Sequence, residues 1–208
     1  MSRSVLLAAV AVTAPALADE PSPRAENMLP LAVGNSWTYK VSSLDDPRFP
    51  RVQDDRFVVR VVRQEMVGEQ TCFRLDASLK DRIVATEHLA FTKDGLFRFR
   101  VDKEDVTPPL PILRWPVRAK NDPWKEEYRL GGRTATARFS VQNPAGSVTV
   151  PAGKFKTVSI HAEMGDSGLP KTTVWYSEGV GVVRQRIEEG KRPPLLLELE
   201  KFDKEAGK

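Results

Sequence analysis

An all-β domain built on one strongly curved, mainly antiparallel sheet is the fold class this sequence predicts, a half-barrel or incomplete barrel, with a β-sandwich as the alternative. Three observations predict it. Short runs rich in Val, Phe, Thr, Tyr and Trp recur between breaks that contain Gly, Pro or Asp. Several runs alternate apolar and polar residues with period two, the mark of a sheet with one wet face. Beyond residue 18 no stretch sustains helical periodicity, and the alternating β and α units of a doubly wound parallel sheet are absent.

Residues 1–18 read as a secretory signal peptide. Arg3 supplies the positive start, Val5 to Ala14 the short apolar segment, and Ala16-Leu17-Ala18 a small-residue cleavage site. An uncleaved anchor would need about 20 apolar residues, and Pro15 and Asp19 interrupt well before that. The expectation is therefore an exported protein, periplasmic or secreted after cleavage near Ala18, with no transmembrane segment left. No cysteine follows the apolar run, which disfavours a lipid anchor. Residues 19–29 read as a polar linker, with Pro21, Pro23 and Pro30 marking a loose leader over 21–30.

Residues 30–203 form the expected single β domain, and 204–208 a tail. The clearest runs in order are Ser36–Ser43, Arg56–Val67, Gln70–Leu79, Ile83–Thr92, Leu96–Asp102, Thr134–Gln142, Lys154–Glu163, Lys171–Ser177, Gly181–Glu188 and Leu195–Phe202. Lys93-Asp94-Gly95 is a short hairpin loop between two of them. The alternation places Phe57, Val59 and Val61 opposite Arg56 and Arg60, and Leu195, Leu197 and Leu199 opposite Glu198 and Glu200. It likewise sets Phe97, Phe99 and Val101 against Arg98 and Arg100. Residues 106–124 carry Pro108, Pro109, Pro111, Pro116 and Pro123, which do not suit central strands, so this segment reads as a long connection or edge excursion. About ten strands in one chain should curl, close or split into two layers.

The reactive inventory is thin. Of 208 residues, one is cysteine and two are histidine, which excludes an intramolecular disulfide and multi-cysteine metal sites. Cys72, in the strand-like run Thr71-Cys72-Phe73-Arg74-Leu75, reads as a small buried hydrophobe rather than a reactive thiol. Ser159, His161 and Glu163 share one strand face, but spacing along a strand puts neighbours on a face about 7 Å apart, too far for direct nucleophile–base contact. Asp45-Asp46 and Asp54-Asp55 lack the glycine and terminal glutamate of a calcium loop. Gly131-Gly132 and Gly179-Val180-Gly181 match neither phosphate-loop nor dinucleotide fingerprints and serve as turns. Net charge is +4, but 32 basic residues are interspersed with 28 acids and never form a block of four, so nucleic acid is not an expected partner. No cofactor and no metal are expected.

Four tryptophans remain, Trp37, Trp115, Trp124 and Trp175, and packing is the default use of each. Trp115 and Trp124, lying among prolines, are the best candidates for exposure as a ligand platform. Together with Phe97 and Phe99 they are the expected ligand-binding residues.

Three segments resemble a known group. Pro30-Leu31-Ala32-Val33-Gly34-Asn35-Ser36-Trp37-Thr38-Tyr39 opens the first strand, Val150-Pro151-Ala152-Gly153-Lys154-Phe155 precedes a long one, and Trp175-Tyr176-Ser177-Glu178-Gly179-Val180-Gly181-Val182-Val183 comes late. Together, from about Leu29 to Phe202, they resemble a family of exported bacterial domains of unknown function labelled TapB-like. This chain departs at Ser177-Glu178, where that family has Ala-Pro. The resemblance implies a coiled antiparallel sheet similar to the half-barrels of periplasmic lipoprotein carriers, and it transfers no catalytic residue.

The expectation is thus an exported, non-enzymatic cell-envelope protein that binds a lipid or other apolar ligand, or a protein partner. An apolar cavity of roughly 300 Å³ or more would favour ligand carriage, and a filled interior a structural role. The alternatives are an envelope hydrolase with a site invisible in sequence, and a scaffold or interaction module using the connection 106–124.

Overall fold

The computed structural model describes residues 25–43, 55–117, 123–165 and 170–205. The expected signal peptide, residues 1–18, lies outside them, as do all members of the two acidic pairs except Asp55.

Alternation and turn chemistry build twelve strands in chain order: β1 Ser36–Ser43, β2 Arg56–Val67, β3 Gln70–Leu79, β4 Arg82–Thr92, β5 Gly95–Val101 and β6 Glu104–Arg114 in the first half. The second half supplies β7 Trp124–Leu130, β8 Arg133–Val150, β9 Gly153–Met164, β10 Lys171–Ser177, β11 Gly181–Glu188 and β12 Leu195–Asp203. Each strand pairs antiparallel with its neighbours in sequence, and β1 also pairs with β12, so the sheet closes into a barrel. The predicted fold class is what the structure shows. Closure goes one step further than an incomplete barrel, and it removes the free sheet edges that an open sheet would leave.

Two strands account for the difference in number. The sequence reading placed the prolines of 106–124 in a connection, and that is corrected: Pro108, Pro109 and Pro111 sit within β6. Proline cannot donate to a ladder, and β6 shows where that is tolerated. Toward β5 it keeps register from Gly95↔Arg114 to Val101↔Glu104, whereas toward β7 it makes a single register pair, Thr107↔Arg129. The missing donors coincide with the sheet's weakest seam. Strand β7 escaped notice because Glu126 breaks its apolar face between Trp124 and Tyr128, all three standing on one side of the strand. The structure answers that charge with Arg114, which crosses the seam to Glu126.

The interior is one continuous apolar core. Trp37, Val61, Leu96, Leu110, Leu113, Val183 and Leu199 are almost wholly removed from solvent. Trp37 stacks on Phe202 at 5.2 Å and donates its Nε1 proton to the Val180 carbonyl at 2.5 Å. Tyr39 donates to the Val182 carbonyl at 2.8 Å, so both large polar tips in this part of the core are satisfied. Phe57, Val59, Leu197 and Leu199 face this core as their alternation predicts.

One end of the barrel is capped by the chain before β1. The short helix α1, Ala25–Met28, leads into Leu29 and Leu31, and Met28, Leu29 and Leu31 are all buried in the core. The leader is therefore not loose in this part. Asn27 accepts a backbone hydrogen bond from Gly179 at 2.7 Å, and Leu29 lies so close to Gly181 that a β-carbon there would meet it at 2.8 Å. At the other terminus, the Asn35 side chain accepts the backbone N–H of Glu205 at 2.8 Å.

The outer face carries many charges, with Met66, Ile83 and Val84 exposed among them. Ion pairs such as Arg74–Asp76, Arg100–Asp105, Arg184–Glu198 and Lys171–Glu163 run across or along it, where a lipid-facing barrel carries an apolar band. No helix among the described residues is long and apolar enough to cross a membrane.

Candidate functional site

The lumen is not completely filled. A cavity of about 160 Å³ remains between β5, β6, β8, β9, β10 and β11, short of the roughly 300 Å³ expected of a ligand carrier. Its apolar wall is Ile112, Phe139, Ile160, Ala162, Met164 and Val174, and its polar groups are Arg98, Thr172, Tyr176 and Gln185.

Arg98 reaches the lumen through a β-bulge. The β4–β5 register slips between His88↔Arg100 and Leu89↔Arg98, leaving Phe99 without a direct partner. As a result Arg98 stands opposite Leu89 and Leu110, both core residues, while Arg100 pairs outward with Asp105 at 2.5 Å. The sequence reading put Arg98 and Arg100 on one wet face, and the structure separates them. A single extra residue inverts the pleat.

The guanidinium of Arg98 donates through Nη2 to Glu87 Oε1 at 2.9 Å. Its Nε is buried without a hydrogen-bond partner. Tyr176 is buried nearby, and burial drives its hydroxyl well above the usual phenol range, opposed by Arg98 and reinforced by Glu87. The hydroxyl is therefore a neutral donor and acceptor at physiological pH. Burial also raises Tyr128, again against the pull of Arg98, and its hydroxyl points to Met164 Sδ at 3.9 Å. The site thus combines a mostly apolar wall with one neutralised ion pair and three uncharged polar side chains.

The four expected ligand-binding residues do not line this cavity. Trp124 is buried, 6% exposed, and stacks at 5.1 Å on Phe139, so it backs a cavity wall instead of forming an exposed platform. Trp115 is half-buried against the core. Phe97 stands on the outer face opposite Ala90 and Pro111, and Phe99 packs against the small outer cluster of Val67, Cys72 and Ala90. The residues that do meet at the cavity gave no signal beyond strand alternation, because their convergence depends on barrel closure.

A second concavity, about 350 Å³ and open to solvent, lies on the outer face. It is lined by Gln142, Ser159, His161, Thr173, Trp175, Arg186 and Glu188. Register builds it: Trp175 stands between Ser159 and Arg184, and Thr173 between His161 and Arg186. His161 Nδ1 lies 3.0 Å from Thr173 Oγ1, and its Nε2 lies 3.5 Å from Glu163. Glu163 is held below the usual carboxylate range, chiefly by the Lys171 ammonium at 2.8 Å and then by His161. Sequence reasoning saw Ser159, His161 and Glu163 in line. The hydroxyl that reaches the histidine comes from the neighbouring strand.

The other histidine is structural in its surroundings. His88 is 2% exposed and bonds through Nε2 to Glu65, while its Nδ1 is buried without a partner. Cys72 is fully buried beside it, and burial pushes its thiol up to about 11. Among the described residues no three His, Cys, Asp or Glu side chains are grouped to hold a metal ion.

No protein-family model and no curated protein matches the chain. Among solved structures it is similar to a protein of Bacteroides fragilis provisionally described as exported, with a YmcC-like fold: 13% identity, 85% of this chain and 98% of that one, TM-score 0.46. It is also similar to a protein of Parabacteroides distasonis provisionally described as a lipoprotein, at 16% identity over 85% and 98% of the two chains, TM-score 0.47. Likeness at this level adds nothing to what the barrel itself shows.

Proposed function

We propose that this chain is an exported, non-enzymatic envelope protein whose barrel lumen binds a small apolar ligand. The observation that carries the proposal is the lumen cavity, whose mostly apolar wall is met by the polar side chains of Arg98, Thr172, Tyr176 and Gln185. An apolar pocket with a few convergent polar groups is the usual form of a small-molecule site. Export rests on the targeting pattern of residues 1–18, and membership of the TapB-like family of exported domains of unknown function on the three sequence segments, so both belong to this proposal. The cavity's size scales the ligand down from a lipid to one ring or a short chain, since an apolar cavity of about 150 Å³ suffices for benzene.

Native mass spectrometry of protein purified from its producing cells tests the reading. A small molecule should co-purify with the natural sequence and be lost in Ala162→Leu, which fills the cavity. Identical spectra for the two proteins would refute it.

The hydrolase reading retains one observation, the contact of His161 with both Thr173 and Glu163. Against it, the backbone donors around Thr173 belong to the ladders joining β9, β10 and β11, which leaves oxyanion stabilisation to side chains such as Arg186 and Gln142. Any ester hydrolysis by the purified protein that His161→Ala abolishes would revive it. The scaffold reading loses the first half of its segment 106–124, because Glu104–Arg114 is a barrel strand.

A further inference from the structure

We infer that the lumen selects an uncharged ligand, an apolar body of one ring or about six carbons bearing an alcohol, ketone or ester oxygen, and that the Arg98–Glu87 pair rejects both anions and cations. This rests on the lumen reading above and names its ligand class.

A lone arginine in an apolar pocket would invite a carboxylate, because charge-assisted bonds to guanidinium are the strong ones. Arg98 is not alone. Glu87 accepts from its Nη2 at 2.9 Å, so the pair carries no net charge into the lumen. Of the four N–H donors left, the one on Nε is buried without a partner. A carboxylate entering the lumen would have to shed its water and then approach the Glu87 carboxylate, with the guanidinium already shared. An ammonium would shed its water and meet Arg98. Neither ion recovers what desolvation takes from it.

A neutral oxygen faces no such penalty. The hydroxyls of Tyr176 and Thr172 and the amide of Gln185 can each donate to it or accept from it as the head group requires. The Tyr176 hydroxyl keeps its proton throughout the physiological range because burial disfavours the phenolate. The apolar remainder of the ligand lies against Ile112, Phe139, Ile160, Ala162 and Val174. The volume of about 160 Å³ holds one ring or a six-carbon chain.

The experiment is a titration of the natural protein with 1-hexanol, hexanoate and hexylammonium at pH 7.5, read by methyl NMR of Ile112, Ile160, Ala162 and Val174. Hexanol should shift these methyls with a Kd at least tenfold below that of either ion. Hexanoate or hexylammonium binding as tightly as hexanol would overturn the selectivity while leaving the lumen a binding site. No shift with any of the three would instead overturn the lumen reading itself. Glu87→Gln keeps the shape of the pair and removes its negative charge, so hexanoate should gain at least tenfold on hexanol. An unchanged ratio in a folded Glu87→Gln protein would remove the pair from the selection.

Discussion

Arg98 and Glu65 are both charged side chains on neighbouring parts of the sheet, yet their surroundings give them different chemistry. Arg98 is turned inward by a bulge and meets a cavity, whereas Glu65 stays on the outer face and accepts from His88 and, at 2.6 Å, from Arg63. Those two bonds hold the Glu65 carboxyl down at about 2, from an ordinary 4.5. A carboxyl lowered in the folded state stabilises the protein above its unfolded pKa and loses that contribution as pH falls toward the folded one. Glu65→Gln should therefore cost about 1 kcal/mol at pH 7, and the difference from the natural protein should vanish between pH 4.5 and about 2. Urea unfolding at a series of pH values measures it. Cys72 gives a second prediction at this scale. Fully buried and with its thiol raised to about 11, it should resist iodoacetamide in the folded protein and label only after denaturation. Rapid native labelling, followed by intact mass, would contradict the burial.

Strand β6 is the element that sequence alone misplaced. Prolines argue against a central strand because each deletes a ladder donor, and the argument is sound as far as it goes. What it does not contain is a neighbour that asks for few donors. With one register pair to β7, the β6–β7 seam supplies that neighbour, and the expected readout is hydrogen exchange. Amides of β7 that face β6 should exchange faster than those between β8 and β9, whose register runs from Ala137↔Met164 to Val150↔Gly153. Equal protection would mean that the seam is tighter than its pairing. On the other side, β5 begins at Gly95, where φ is +136° and a β-carbon would stand 2.0 Å from the Leu113 carbonyl oxygen. Gly95→Ala should cost at least about 3 kcal/mol, because both the backbone conformation and the β5–β6 contact refuse it. Chemical denaturation of the variant checks this.

At the scale of the molecule, the barrel is closed along its sheet by β1 pairing with β12, and covered at one end by Met28, Leu29 and Leu31. That cap should contribute in proportion to the apolar surface it removes from water. Leu29→Ala is expected to lower stability by about 2–4 kcal/mol, from the lost burial and the cavity left over Gly181. A loss below 0.5 kcal/mol in urea would mean the cap is peripheral.

Fold class, the apolar faces of β2 and β12, the buried state of Cys72 and the absence of a helical layer were all legible from the chain, because period-two alternation and turn residues act over a few neighbours. Closure, the strand status of β6 and β7, and the inward turn of Arg98 were not. Each depends on a partner far away in sequence: β12 for β1, Arg114 for Glu126, the slipped register of β4 for Arg98. The lumen site belongs to this second kind. Its walls come from six strands, so only the closed barrel could bring a guanidinium, a phenol and an apolar cavity to one place.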